Sequence, residues 1–415
     1  MRKFDPVMEV VISIGQKMLE CGAEIHRAEV AMEMLLKKFG SEKYEVFTIS
    51  SQITISSKFE GEIYTIIKRV QKYGNNFYRL EQFNSLCRKA INEDLSVEEI
   101  DKRINEILLT SKLPTWLIIL GTILGASSFT FFFGGCALDA IISGLLGVVV
   151  VFSDKYIKPR LNGLVYSVFI CFVVGSLGIG LFRLGLVHNI DKVLIGDVML
   201  FIPGSTLTNS VRDIFLGDTI SGTVRFIEAF LLACSIALGF ALSMLIYMQG
   251  EIHAPSEVKW WISLIAGMFG TLGFCIIYHM RGIKLLFATL GGLLAMGVYL
   301  LVGLAISDTF TKVFIASISV GVYGEIMARV LKTPAICYVM PGGFPLYPGA
   351  SLYYSLTHLV NGNNNLFWSY LGSTGITILG IASGVVLTSV LFKYLHRLFN
   401  YIAKVHKESK KSSSN

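Results

Sequence analysis

Residues 341–350 read PGGFPLYPGA, inside an apolar run that extends from about Pro334 to Leu356. Three of the chain's nine prolines, Pro341, Pro345 and Pro348, fall here. Proline removes a backbone donor and breaks helices, and the core of a bilayer offers no water to satisfy the freed groups. A break in such a place is either a fault in a membrane span or the wall of a cavity, and composition makes the question a real one. The 415 residues are 53% hydrophobic and 16% charged, with mean hydropathy +0.62, too apolar for an ordinary soluble protein. The fold class read from this is a polytopic α-helical membrane protein, and no nucleic-acid partner is expected.

About 20 mostly apolar residues make a span. Ten candidates follow: 115–133, 136–153, 164–182, 190–209, 222–248, 259–279, 283–305, 310–328, 334–356 and 366–392, the fourth and ninth being the least regular. Cytoplasmic loops carry more Lys and Arg. Alternate loops hold Lys155, Lys158 and Arg160, then Arg212, then Arg281 and Lys284, then Arg329 and Lys332, then the tail with Lys393, Arg397 and Lys404. The other set holds Arg183, Lys192, Lys259 and Lys312. This bias predicts a multi-pass protein of the cytoplasmic membrane with both termini in the cytoplasm, which requires an even number of spans.

The broken run has a counterpart 145 residues upstream, where PGSTLTNSVRDIFLGD from Pro203 parallels PGASLYYSLTHLVNGN from Pro348. The same offset relates Trp116, Gly125 and Phe129 to Trp261, Gly270 and Phe274, and Leu145 and Gly147 to Leu290 and Gly292. Five spans per half is an odd number, so the second half is expected to be inverted relative to the first, the arrangement of alternating-access transporters. The predicted organisation is a cytoplasmic α+β domain at 1–113, five-helix repeats at 114–250 and 251–395, and a basic cytoplasmic tail at 396–415.

Residues 1–113 hold 17 basic and 17 acidic side chains, against 19 and 12 in the rest, so a highly charged, neutral domain precedes a basic membrane part. The run Val7 to Leu19 contains Glu9 and Lys17 and reads as an amphipathic helix rather than a signal peptide. Residues 5–38 read as two helices, 44–56 and 62–70 as strands, and 84–91 and 97–109 as helices, with Ser96 an N-cap. In CGAEIHRAE, Glu24 and His26 lie about 200° apart on a helix, so they share no ligand face, and a structural or docking role is favoured. Ser50, Ser51, Ser56 and Ser57 come with no GxSxG elbow and no identifiable base. The seven cysteines show no metal spacing. No catalytic residue, metal or cofactor is expected.

Ionisable groups within spans are functional candidates by default. They are Asp139, Asp197, Glu228 and Glu325, with Arg212 and Asp213 just past the first break. For Asp139 and Asp197 an interfacial position is an equal alternative, and Arg225 and Arg329 stand at helical spacing to pair with Glu228 and Glu325. Each break sets Pro-Gly before small residues at the start of a half-helix, whose free N–H groups and positive dipole end suit a carboxylate. A tightly packed, ligand-free kink is the alternative; occurrence at matching places in both halves favours binding. The candidate substrate residues are Pro203, Gly204, Ser205, Thr208, Asn209, Pro348, Gly349 and Ser351. For the coupling proton they are Glu228 first, then Glu325, Asp213 and Asp197.

CGAEIHRAEVAM with EVFTISSQITIS, IPGSTLTNSVRDIFLGDTISG with RFIEAFLLACSIALG, and GEIMARVLKTPAICYVMPGGFPLYPGASLYY together resemble the threonine/serine exporter family in its fused form. The resemblance implies secondary export of the small amino acids threonine and serine, driven by protons. Split relatives resembling the two halves imply a dicarboxylate as the alternative substrate. The competing classes are a membrane-associated hydrolase using residues 1–113 and a passive channel; direction of transport and self-association into a homo-oligomer stay open.

Overall fold

The computed structural model describes residues 2–70, 74–110, 113–247 and 258–412, with side chains given to residue 395 except at 360. The 250/251 boundary between the predicted repeats and the side chains of the tail at 396–415 lie outside the described residues. The first 110 residues fold as an α+β unit. Helices α1 (Asp5–Glu20) and α2 (Ile25–Lys38) precede an antiparallel sheet of β1 (Lys43–Ile49), β2 (Gln52–Phe59) and β3 (Glu62–Arg69) in sequential order. Helices α3 (Phe77–Asn92) and α4 (Val97–Thr110) complete it. Strand β2 turns Ile53, Ile55 and Phe59 into the core on alternate positions. Ser96 caps α4 as expected: its Oγ accepts the Glu99 amide at 3.2 Å while Glu99 Oε2 accepts the Ser96 amide at 2.9 Å.

Two sequence expectations need correction here. The run 44–56 is not one strand but a hairpin turning at Ser50-Ser51, with Ile49 paired to Gln52. Both arms are β-branched and alternating, so neither composition nor period marks a turn made of two serines. Helix α3 begins seven residues earlier than expected, at Phe77, because Asn76 caps it by accepting the Arg79 amide at 3.0 Å and Phe77, Leu80 and Phe83 extend the buried face.

The remainder is helical: α5 (Thr115–Phe132), α6 (Ala137–Tyr156), α7 (Gly163–Arg183), α8 (Ile190–Val198), α9 (Gly204–Phe215), α10 (Thr219–Tyr247), α11 (Trp260–Ile277), α12 (Ile283–Gly303), α13 (Thr309–Val330), α14 (Ile336–Gly342), α15 (Gly349–Val360) and α16 (Asn364–Ser412). Among the described residues eight helices are long and apolar enough to cross a membrane: α5, α6, α7, α10, α11, α12, α13 and α16. The fourth and ninth sequence candidates are instead pairs of short helices, α8 with α9 and α14 with α15, the second pair joined by a 3-10 turn at Phe344–Leu346. Boundaries recur at the 145-residue offset, as in Thr115–Phe132 with Trp260–Ile277 and Gly204–Phe215 with Gly349–Val360. Helix α7 packs on α10 as α13 does on α16, and the short helices α9 and α15 each lie against both α10 and α16. Lys192 and Arg212, counted with the loop charges above, are buried inside these short helices.

Helices in a bilayer gain little from hydrophobicity against one another and associate where small residues let backbones approach. At the α5–α11 crossing a Cβ on Gly273 would meet Gly125 N at 2.5 Å and Gly121 O at 2.6 Å. The α+β unit is fastened to the same region. Phe77 N donates to Tyr278 O at 3.0 Å, Arg88 Nη2 to Lys332 O at 2.6 Å, and Lys284 pairs with Glu81. One continuous apolar core runs from Val11, Met18 and Leu35 to Cys275, Ile336, Cys337 and Met340.

Gly273→Val is expected to destabilise the protein by more than the ~1–3 kcal/mol usual for overpacking, since the atoms it meets are backbone. Thermal unfolding in detergent checks this against Gly180→Ala, whose added Cβ meets nothing within 4 Å and which, lying inside α7, should not lower stability and can raise it by about 0.5–1 kcal/mol.

Candidate functional site

The two interrupted elements meet at their breaks. Pro203 and Pro348 are the N-caps of α9 and α15, with nearly the same backbone angles: φ −78°, ψ 39° and φ −79°, ψ 51°. Of the other two prolines, Pro341 sits in the last turn of α14 and Pro345 within the 3-10 turn. Only Pro348 therefore occupies the place that Pro203 holds in the first half. Each glycine after these caps presses on the chain just before the opposite break. A Cβ on Gly204 would lie 3.0 Å from Tyr347 Cβ, and one on Gly349 2.1 Å from Met199 Sδ and 3.3 Å from Ile202 Cδ1. Ile202 and Tyr347 are themselves 145 positions apart.

This crossing takes up most of the residues that the sequence offered as substrate ligands. Pro203, Gly204, Ser205, Pro348 and Gly349 are buried in it. Ser351 Oγ donates to Pro348 O at 3.2 Å and accepts from Thr374 Oγ1 at 2.9 Å. Thr208 and Asn209 behave differently: one turn further along α9, they line a crevice with Arg212, Ser317, Met340 and Tyr347. The crevice is about 10 Å³, close to the room of a single water. The Thr208 hydroxyl is buried there without a hydrogen-bond partner among the described residues.

Beyond Arg212, Ile336, Val339 and Val385, which line both spaces, lies a vestibule of about 650 Å³. Its walls come from the start of α2, the end of α9, and α13, α14 and α16, and carry charges of both signs, among them Glu24, Arg27, Asp213, Asp218, Glu325, Arg329 and Lys393. A chain of ion pairs crosses it. Arg212 Nη1 donates to Glu24 Oε1 at 3.0 Å, Arg212 Nη2 to Asp213 Oδ1 at 3.0 Å, and Arg225 Nη1 to Asp213 Oδ2 at 3.1 Å. Arg27 Nε stands 4.0 Å from Glu24 Oε2. The Arg212 and Asp213 side chains are each 5% exposed and that of Glu24 is 28% exposed. Burial opposes ionisation of Glu24, but the guanidiniums of Arg212 and Arg27 outweigh it and hold the carboxyl below its ordinary range. Asp218, in the turn after α9, is shifted the opposite way, by burial and then by the charge of Asp213.

The proton-carrier candidates separate by location. Glu325 lines the vestibule and holds Arg329 at 2.7 Å, the pairing that its helical spacing offered. Asp213 lines it too, between two guanidiniums. Asp197 is sealed away: Ser143 Oγ donates to its Oδ1 at 2.8 Å and its Oδ2 has no hydrogen-bond partner among the described residues. Glu228 is exposed on α10 and is not among the vestibule residues, and Arg225, which was paired with it on spacing, is turned to Asp213. The reason is helical phase: Ala229, beside Glu228, faces the interior, whereas residues 226–228 face outward.

Asp139 is a tie between helices. Its carboxylate accepts the amides of Cys136, His188 and Asn189 at 3.0, 2.8 and 3.2 Å and Asn189 Nδ2 at 3.1 Å, joining the start of α6 to the start of α8. Ligand atoms of Cys136, Asp139 and His188 fall within 4.8 Å of one another, but both carboxylate oxygens are already taken. Ser57 Oγ of β2 is 2.7 Å from Ser41 Oγ, just before β1, and Ser56 Oγ is 3.1 Å from Thr65 Oγ1 across β2 and β3, so these hydroxyls are hydrogen-bonded. The residues that sequence reasoning did not place in the site are Glu24, Arg212, Ser317 and Tyr347. Only Arg212 carried a signal, as an arginine buried in an apolar segment just past a break.

Two family profiles match the chain: one described as putative threonine/serine exporter over residues 9–247 and one described as threonine/serine exporter over 263–391. A threonine/serine exporter from Corynebacterium glutamicum is 21% identical over 94% of this chain and 83% of its own length. A probable succinate transporter subunit from Escherichia coli is 22% identical over 58% of this chain and 94% of its own. A pheromone-regulated membrane protein from Eremothecium gossypii is 23% identical over 90% of this chain and 54% of its own. No solved structure matches.

The pH dependence of stability follows from Glu24. Its carboxyl binds a proton more weakly folded than unfolded, so its contribution is complete above about pH 4.5 and is lost as pH falls through the lower folded value. Thermal unfolding of the wild type minus that of Glu24→Gln, followed from pH 7 to pH 3, should show a difference that disappears on the acid side.

Proposed function

We propose that this chain, which belongs to the threonine/serine exporter family, is a secondary exporter of small carboxylate-bearing solutes, with threonine or serine as substrate. The observation that carries this reading is the charged vestibule of about 650 Å³ narrowing to a crevice where the two broken elements cross. Irregular backbone at membrane depth is tolerated where it is buried in protein or lines a cavity, and paired interruptions in two halves mark the substrate site of alternating-access transporters. In this reading the pairs α8–α9 and α14–α15 each cross the bilayer. With the eight long helices they make ten crossings, five per half, and the second half is inverted. Both termini then lie in the cytoplasm of a cell-membrane protein, the vestibule opens towards the α+β unit, and the far side is closed around the buried Lys192–Tyr354 contact, 3.1 Å long.

An amino acid needs both signs of charge, and the vestibule walls supply both. A dicarboxylate needs cations without competing anions, whereas Glu24, Asp213, Asp218 and Glu325 line the vestibule beside its Arg and Lys side chains. This favours threonine and serine over a succinate-like substrate, which is the second reading because of the relative named as a succinate transporter subunit. We assign the coupling proton to Glu325, which faces the vestibule and, among the described residues, has one ion-pair partner, the half-exposed Arg329, ahead of Asp213, whose release breaks two ion pairs, and of the sealed Asp197. Glu228 has no place in this scheme.

Counterflow of labelled threonine in proteoliposomes tests both parts. Threonine and serine should exchange and succinate should not. Glu325→Gln should keep exchange while losing at least about tenfold of the acceleration given by an imposed pH gradient, and Glu228→Gln should match the wild type. Flux that no pH gradient can drive uphill would instead describe a channel.

A further inference from the structure

Resting on the transport reading, we propose that Arg212 is the side chain that holds the carboxylate of the transported solute, and that Glu24 occupies the same guanidinium in this state as an internal stand-in. The solute then reaches Arg212 only by displacing Glu24.

Four observations place the role on this pair. Arg212 is the one cation, among the described residues, that lines both the vestibule and the crevice, so a solute moving inward meets it at the passage between them. Its five N–H donors form a rigid planar fork shaped for carboxylates, and the Nε donor is buried with no partner. Of its two acidic partners, Asp213 is its chain neighbour and is anchored from the other side by Arg225. Glu24 is different: it stands 188 positions away in sequence, at the N-cap of α2, with its side chain 28% exposed. It also has Arg27, one turn along its own helix, to receive its charge when it lets go.

Exchange of one carboxylate for another keeps the guanidinium paired throughout. That matters because a buried charge stripped of its partner is among the most destabilising features a protein can carry. The α+β unit thereby becomes part of the transport path: its α2 terminus closes the passage when no solute is bound and yields to a solute of matching chemistry. Recognition rests on the carboxylate alone, the group that an amino acid and a dicarboxylate share, and the opposite charges of the vestibule choose between them.

The test is calorimetric binding to the purified full-length protein in detergent, with three probes: L-threonine, succinate, and threoninol, which replaces the carboxylate by a hydroxymethyl group. The wild type should bind one carboxylate at least about tenfold more tightly than threoninol, as expected for a charge-assisted fork. Arg212→Gln should erase that preference, and Arg212→Lys, which keeps the charge and loses the fork, should reduce it. Glu24→Gln should tighten carboxylate binding severalfold and leave threoninol unchanged, because only the competitor has been removed. In the double variant Glu24→Gln no longer matters. A preference for carboxylate that survives in Arg212→Gln, or carboxylate binding that weakens in Glu24→Gln, overturns this assignment while leaving the transport reading intact. If neither carboxylate binds to the wild type, both fall together.

Discussion

The contact on which the rest of the structure depends is the crossing of the two breaks. Gly204 lies against Tyr347 and Gly349 against Met199 and Ile202, so close that a β-carbon would enter only by shifting its neighbours. Because each glycine opens a helix whose cap is proline, neither element can continue through the other as a straight helix. The chain must end one helix, pass the opposing chain and begin another. This sets the lengths of α8, α9, α14 and α15, and it brings short helices of one half against long helices of the other. Close backbone approach at α5–α11 supports the same region from the side.

Around that crossing, charge is arranged to be buried without being abandoned. Arg212 and Asp213 lie almost wholly out of solvent, yet each has an oppositely charged partner on more than one side. Desolvating ions is unfavourable, and the attraction between them offsets it only when the geometry is good. Such chains are consequently poor evidence of added stability and better evidence of a function that requires charge at that depth. Here one end of the chain, Glu24, comes from a separate α+β unit. Residues near the N-terminus thus form part of the cavity wall.

Much of the architecture was legible before any coordinates, for reasons that lie in local chemistry. Continuous apolar runs located the long helices to within a few residues, apart from the end of α16, Ser96 announced the start of α4, and the 145-residue register matched boundaries such as Gly204 and Gly349. The hairpin at Ser50-Ser51 was missed because its two arms carry the same alternation and the turn has no glycine, asparagine or proline to mark it. Of the candidate site, the sequence marked the two breaks and Thr208 and Asn209, which line the crevice, but not the packing around them. Half-helix termini suggested amides as ligands, but packing of the opposing break covers them, and the side of α9 carrying Thr208, Asn209 and Arg212 faces the cavity instead. Glu228 was attractive because it is a carboxyl in an apolar run; helical phase puts it on the outside.

The sequence by itself determined that this is a polytopic helical membrane protein, that Pro-Gly pairs 145 positions apart interrupt two of its apolar runs, and which family it belongs to. These follow from composition, periodicity and proline chemistry, which act over a few residues or repeat at a fixed interval. Only the tertiary structure decided that the two interruptions touch, that Arg212 is paired with a glutamate 188 positions away, and that the cavity lies beside α9 rather than at its tip. Those facts depend on which faces of helices far apart in sequence come together, and a side chain's neighbours across a packed interface leave no periodic trace in the chain that carries it.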